Sequence, residues 1–116
     1  MATTMSASQA LNLWHDVTHD LVLKDDTDLS ARQMTVLLTV YLETPPHTVR
    51  GLAAKLGVTK PAITRALDTM GRMGLLTRRR DDQDKRNVVI LRTVKGALYV
   101  HDLGHKIVET TAALAE

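Results

Sequence analysis

The sequence predicts a mainly α domain with a small β-hairpin wing, a winged helix-turn-helix. Three observations predict it. Within one stretch from Leu52 to Ile90, LAAKLGVTKPAITRALDTMGRMGLLTRRRDDQDKRNVVI, apolar residues recur first at helical spacing and then alternate as in strands. Gly57, Thr59 and Pro61 punctuate its helical half as a tight turn between two helices. Positive charge also gathers there, on a chain that is otherwise acidic.

The elements follow in order. Residues 1–8 are polar and are expected to be disordered, and 9–116 to form one domain. Leu11, Trp14, Val17, Thr18, Leu21 and Val22 recur at helical spacing, so a first helix runs over about 9–24. The acidic link KDDTD breaks it. Ser30 with Gln33 is a capping box, and Leu29 with Met34 a hydrophobic staple, so a second helix starts cleanly. It continues through Leu37, Leu38, Tyr41 and Leu42 until Thr44, Pro45 and Pro46 stop it, and its apolar residues on more than one face place it centrally. His47 to Val49 is a candidate short strand.

A third helix holds Leu52, Ala53 and Leu56 and ends at Gly57, which tolerates a left-handed turn. Thr59 caps helix 4, at about 59–73, whose first turn accepts Pro61 because that amide has no helical partner in any case. Ala53 lets the two helices approach and Ile63 locks the second onto the first; a generic two-helix corner is the plainer alternative. Past Gly71 and Gly74, Leu75–Arg80 and Asn87–Arg92 pair as a hairpin, with Val88 and Ile90 on one face and Val89 and Leu91 on the other. A last helix spans about 94–114.

Composition narrows the function. The 116 residues are 44% hydrophobic and 24% charged, in the range of globular proteins. There is no cysteine, which excludes disulfides, thiolate metal sites and thiol redox sensing. No run suits a membrane span and the N-terminus lacks a secretory pattern, so the expected location is cytoplasmic. The net charge of +2 conceals segregation: residues 48–95 carry +8, residues 1–47 carry −4 and residues 96–116 carry −2. A basic centre between acidic ends is the footprint of a phosphate-binding face, and solubility alone needs no such segregation.

The candidate contacts to double-stranded DNA are Thr59, Lys60, Pro61, Thr64, Arg65, Arg72, Asp84, Lys85 and Arg86. Within helix 4, Ile63, Ala66, Leu67 and Met70 form a core stripe, leaving Lys60, Pro61, Thr64, Arg65 and Asp68 on the opposite side. A helix fits the major groove, where Arg65 suits bidentate bonding to guanine. Thr64 suits a thymine methyl or a phosphate, and Lys60, Lys55 and Arg72 suit phosphates. The alternative for Arg65 is an i,i+3 ion pair with Asp68. The hairpin tip DDQDKR is long and charged and ends in Lys85-Arg86, which suits insertion of the 81–87 wing into the narrow minor groove. Asp84 would orient Arg86 by a charge-assisted hydrogen bond.

These residues resemble the MarR family of bacterial regulators over roughly 29–98. The specific parts are LAAKLGVTKPAITRALDTM as helix-turn-helix and GLLTRRRDDQDKRNVVILRTVKG as wing and exit into the last helix. The resemblance implies a homodimer, through the N- and C-terminal helices (9–24 and 94–114), that sets two copies of helix 4 in successive major grooves of a palindromic site around a 48–95 DNA-binding core. It implies Arg86 in the minor groove supported by Asp84. Such proteins are usually repressors released by a small ligand or by thiol oxidation.

The chain departs from that pattern after residue 94, where room remains for one helix rather than the usual two. A short form is expected, with a dimer region that is smaller, altered or absent. With no Phe and only Trp14, Tyr41 and Tyr99 as aromatics, no generous aromatic ligand pocket is expected, and neither is a cofactor. His15 with His19, and His101 with His105, are i,i+4 pairs of the kind that can hold zinc, near Asp16, Asp20 and Asp102. The plainer reading, partly exposed histidines at an interface, is preferred, so no metal site is expected. A sequence-specific transcriptional regulator is therefore the leading reading and a repressor the expected mode. A winged helix that only binds other proteins is the alternative. An enzyme ranks last, for want of a phosphate loop, a nucleophile signature or an acid–base pair.

Overall fold

The computed structural model describes residues 4–24 and 28–114. The elements are α1 (Ala7–Leu23), α2 (Ala31–Leu42), β1 (His47–Thr48), α3 (Val49–Leu56), α4 (Lys60–Arg72), β2 (Leu76–Arg80), β3 (Val88–Arg92) and α5 (Val94–Leu114). No described helix is long and apolar enough to cross a membrane.

Local chemistry sets most boundaries. Ser6 and Gln9 form a capping box: the Gln9 amide donates to Ser6 Oγ at 3.1 Å and the Ser6 amide to Gln9 Oε1 at 3.0 Å. Helix α1 therefore starts at Ala7, two residues inside the segment 1–8 expected to be disordered; residues 1–3 of that segment lie outside the described residues, as do residues 25–27 of the acidic link. The box expected at Ser30 and Gln33 opens α2, with bonds of 2.8 and 3.1 Å. Thr48 Oγ1 accepts from the Gly51 amide at 2.9 Å, which caps α3 and makes Val49 helical rather than part of the strand. At the other end Gly57 adopts φ 67°, and the Val58 and Gly57 amides donate back to Ala53 and Ala54. Thr59 then caps α4 by accepting from the Ala62 amide at 3.3 Å.

The three strands form an antiparallel sheet in the order β1–β3–β2. Arg78 faces Ile90 and Arg80 faces Val88 across the hairpin, while Thr48 faces Val89 on the other side of β3. Both hairpin strands start one residue later than the expected Leu75 and Asn87. The Leu75 amide is taken by the Met70 carbonyl at the exit of α4, and the Asn87 amide by the Asp84 carbonyl in the tip.

The described chain divides into two compact units. The larger, Leu29–Val100, has a continuous core. Val36, Leu37 and Val40 of α2 meet Leu52 and Ala53 of α3, Ile63, Ala66, Leu67 and Met70 of α4, and Leu75, Leu76 and Ile90 of the hairpin. Leu29 and Met34, the expected staple, pack against it. The other unit includes α1 and α5 from His101 onward. There Val17 and Leu103 are buried, and Asp20 lies 3.2 Å from Lys24 and 4.0 Å from Lys106. Its helices also leave Leu11, Trp14, Val22, Leu23 and Val108 largely exposed.

One polar junction organises the larger unit. The Tyr41 hydroxyl donates to the Leu75 carbonyl at 2.8 Å, accepts from the Thr93 amide at 2.9 Å and lies 3.1 Å from the Thr93 carbonyl. Thr93 Oγ1 donates to the Gly74 carbonyl at 2.7 Å and accepts from the Gly96 amide at 2.9 Å, so it caps α5 as well. A Cβ on Gly96 would stand 1.9 Å from the tyrosine oxygen and 2.1 Å from the Leu75 carbonyl. Arg92 completes the junction, donating to the Val40 and Glu43 carbonyls at 2.8 and 3.2 Å with its guanidinium 5.7 Å from the centre of the Tyr41 ring. Tyr41→Phe should therefore destabilise the protein by about 1–3 kcal/mol, the cost of a buried amide left without its partner. Gly96→Ala should cost more, and adding Tyr41→Phe should not restore it, because the Leu75 carbonyl still blocks the methyl group. Urea unfolding of the three variants checks both expectations.

Candidate nucleic-acid interface

Helix α4 is built to present one face. Ala62, Ile63, Ala66, Leu67 and Met70 are buried, while Lys60, Pro61, Thr64 and Arg65 are exposed on the opposite side. Ile63 and Met70 are inaccessible to solvent, which fixes the helix in rotation, so the exposed face cannot turn inward. The fate of Asp68 is the informative detail. It pairs with Arg78 of β2, Nη2 to Oδ1 at 2.7 Å, rather than with Arg65. Among the described residues Arg65 and Lys60 have no side-chain partner, so both cations remain available to an external anion or base edge. Thr59 is engaged as the cap of α4, and Arg72 makes only a long 3.4 Å bond to Thr69.

The wing tip is held by backbone and carboxylate together. Arg86 Nε and Nη2 donate to Asp84 Oδ1 and Oδ2 at 3.0 and 3.2 Å, and the Arg86 amide donates to Oδ1 at 3.1 Å. This fork fixes the arginine's direction without hiding it: the Arg86 side chain is 84% exposed. Gln83 donates its amide to Asp81 Oδ1 at 2.9 Å, and Arg80 donates to the Lys85 carbonyl at 2.7 Å, so the tip is tied across its own base. Lys85 projects without a side-chain partner among the described residues.

The basic residues thus divide into two sets, a division that sequence alone does not show. Arg78 is held by Asp68, Arg80 by the Lys85 carbonyl and Arg92 by the end of α2, while Arg79 lies 3.8 Å from Asp82. Lys55, expected as a phosphate contact, is instead paired with Glu43. Among the described residues the side chains of Arg50, Lys60, Arg65, Lys85 and Lys95 have no hydrogen-bond or ion-pair partner. Arg78 and Arg80 share the strand face of buried Leu76, and that alternation was the available signal that the arginine run braces the wing.

The two histidine pairs sit in the unit that holds α1 and the later part of α5. The rings of His15 and His19 stack at 5.9 Å, and those of His101 and His105 meet edge-on at 4.5 Å. Among the described residues, no group of three or more metal-ligating side chains is assembled.

The tip carries a pH signature. The Arg86 side chain and then its backbone amide hold the Asp84 carboxyl below its ordinary 3.8; the smaller push from the Arg50 charge acts the same way, and desolvation opposes them. Because the folded value is depressed, the stabilising bond is fully present above about pH 3.8 and is lost as pH falls through the lowered value. A carboxyl NMR titration should place the Asp84 midpoint below 3.8 in the native protein, and Arg86→Ala should move it back toward that value.

A sequence model of the MarR family matches residues 29–88, just over half of the chain. No curated protein matches. Solved structures do. The S. aureus MepR–DNA complex is 23% identical, with a TM-score of 0.75 over 89% of this chain and 83% of that one. The regulator Tm0710 from Thermotoga maritima is 24% identical, with a TM-score of 0.66 over 91% and 69%. CouR from Rhodococcus jostii RHA1, bound to p-coumaroyl-CoA, is 26% identical, with a TM-score of 0.64 over 87% and 68%. These likenesses show a shared fold. The family match spans the second helix, the helix-turn-helix and the wing as far as the start of β3, and by it the chain belongs to the MarR family.

Proposed function

We propose that this protein is a sequence-specific, double-stranded-DNA-binding transcriptional regulator that acts as a homodimer in the cytoplasm, with repression as its mode. The observation that carries this reading is the release of Arg65. Because Asp68 is taken by Arg78, the exposed face of α4 presents Lys60, Thr64 and Arg65 with no competing internal partner. In the major groove Arg65 reads guanine, and Thr64 lies one position from it for a methyl or phosphate contact. Lys60, Lys85 and Arg72 contact phosphates, with Thr59 and Pro61 shaping the helix start. Arg86, aimed by Asp84, enters the minor groove. MepR, of the same fold, has been captured on DNA.

The exposed apolar residues support the dimer. Trp14 is 59% exposed, and Leu11, Val22 and Leu23 on the same helix are more so. Val108 on α5 is comparably open. Apolar area of this kind on two helices is characteristic of an association surface, and a second copy would bury it. Two symmetric copies of α4 then ask for a palindromic site.

Selection of bound fragments from random duplex DNA at near-physiological salt tests the reading. The expected outcome is enrichment of a palindrome. A single enriched half-site would remove the dimer, and binding without enrichment that vanishes as salt rises would favour a protein-interaction module. On the selected site, Arg65→Ala should cut discrimination against the wrong base by about 1–3 kcal/mol. Arg86→Ala should cost most on A·T-rich flanks, as competition binding against altered duplexes would show.

A further inference from the structure

Arg50 makes none of the hydrogen bonds and ion pairs that hold the wing tip. It is exposed in the first turn of α3 and has no side-chain partner among the described residues. Its placement works against its own helix, since a cation in the first turn opposes the helix dipole and gains nothing from it. The charge is therefore open to an external anion.

The sheet register says where that anion would be. Thr48, two residues before Arg50, faces Val89, and β3 begins at Val88 immediately after the tip. The first turn of α3 therefore stands at the root of the wing, on the edge of β3 away from β2. The Arg50 charge is felt at Asp84, where it favours the carboxylate. Both Asp84 oxygens are already occupied by Arg86. Asp84 is thus committed to Arg86, and Arg50 forms no ion pair with it. The first helix of a helix-turn-helix crosses the sugar-phosphate backbone rather than entering a groove, so the ligand at this point is a phosphodiester.

Building on the DNA-binding reading above, we propose that Arg50, at the root of the wing, is a further DNA-contacting cation, holding a backbone phosphate beside the minor-groove step that Arg86 enters. Such a contact strengthens binding to every sequence alike and sets how deeply the wing sits.

Fluorescence anisotropy of a labelled duplex, measured over a salt series, tests it. Arg50→Ala should weaken selected and scrambled duplexes by the same factor and flatten the log–log salt slope by about one unit. Arg50→Lys should keep the slope, because a phosphate accepts a point charge. The melting temperature of Arg50→Ala should equal or exceed that of the native protein, which separates lost contact from lost folding. The same flattening should appear in an Asp84→Asn background. An unchanged slope for Arg50→Ala, or an effect that disappears with Asp84→Asn, would overturn the assignment while leaving the DNA-binding reading standing. A native protein with no salt-dependent duplex binding would overturn both.

Discussion

The Tyr41 hydroxyl is the point at which four parts of the larger unit are fastened together. It joins the end of α2 to Leu75, where the chain leaves α4, and to Thr93, where the wing ends and α5 begins. Buried backbone groups at such a crossing need partners, and no regular ladder can reach all of them at once. One hydroxyl, one threonine and one arginine supply them. The wing is thereby held at its base, in the same compact unit as α4. Gly96 belongs to the same constraint, since any side chain there would collide with the tyrosine and with backbone. Thr93 and Gly96 are thus explained by what they touch.

Electrostatics in this protein is a matter of allocation. A basic segment of charge +8 has the appearance of a uniform phosphate-binding surface, yet the fold assigns several of its arginines to internal work. Arg92 closes the end of α2, Arg78 neutralises Asp68, and Arg80 ties the tip to its own strand. These partly exposed pairs contribute little to global stability. Their consequence is to decide which cations stay free. The carboxylate of Asp68, which would otherwise compete for Arg65, is occupied from across the fold. At the tip the logic is reversed: Asp84 holds Arg86 while leaving it 84% exposed, so pairing there sets direction without concealment. An arginine aimed in advance has less conformational entropy to lose on binding.

Local rules made much of this architecture legible in the sequence, and they worked where the physics is local. Ser30 with Gln33, Thr59 with Pro61, and Gly57 specify helix ends through contacts within a few residues, and apolar spacing identified the buried stripe of α4. The Asp84–Arg86 fork was also readable, because its partners are two residues apart. The early start of α1 rests on an equally local signal, the Ser6–Gln9 box, which a polar N-terminus disguised. The one-residue shortening of β2 and β3 has a different cause. The amides of Leu75 and Asn87 are claimed by neighbouring elements, and strand propensity carries no information about that competition.

By itself, then, the sequence determined the helices, the turn between α3 and α4, the hairpin and the face that α4 exposes. Each follows from hydrophobic period or from a cap acting over a single turn. Only the tertiary structure decided the fate of the individual charges and of the tyrosine hydroxyl. Tyr41 meets Leu75 across 34 residues and Thr93 across 52, and Asp68 meets Arg78 across 10. Partners at such separations are chosen by how the core packs the elements together. A polar side chain has many candidate partners along the chain, and packing decides which of them it meets.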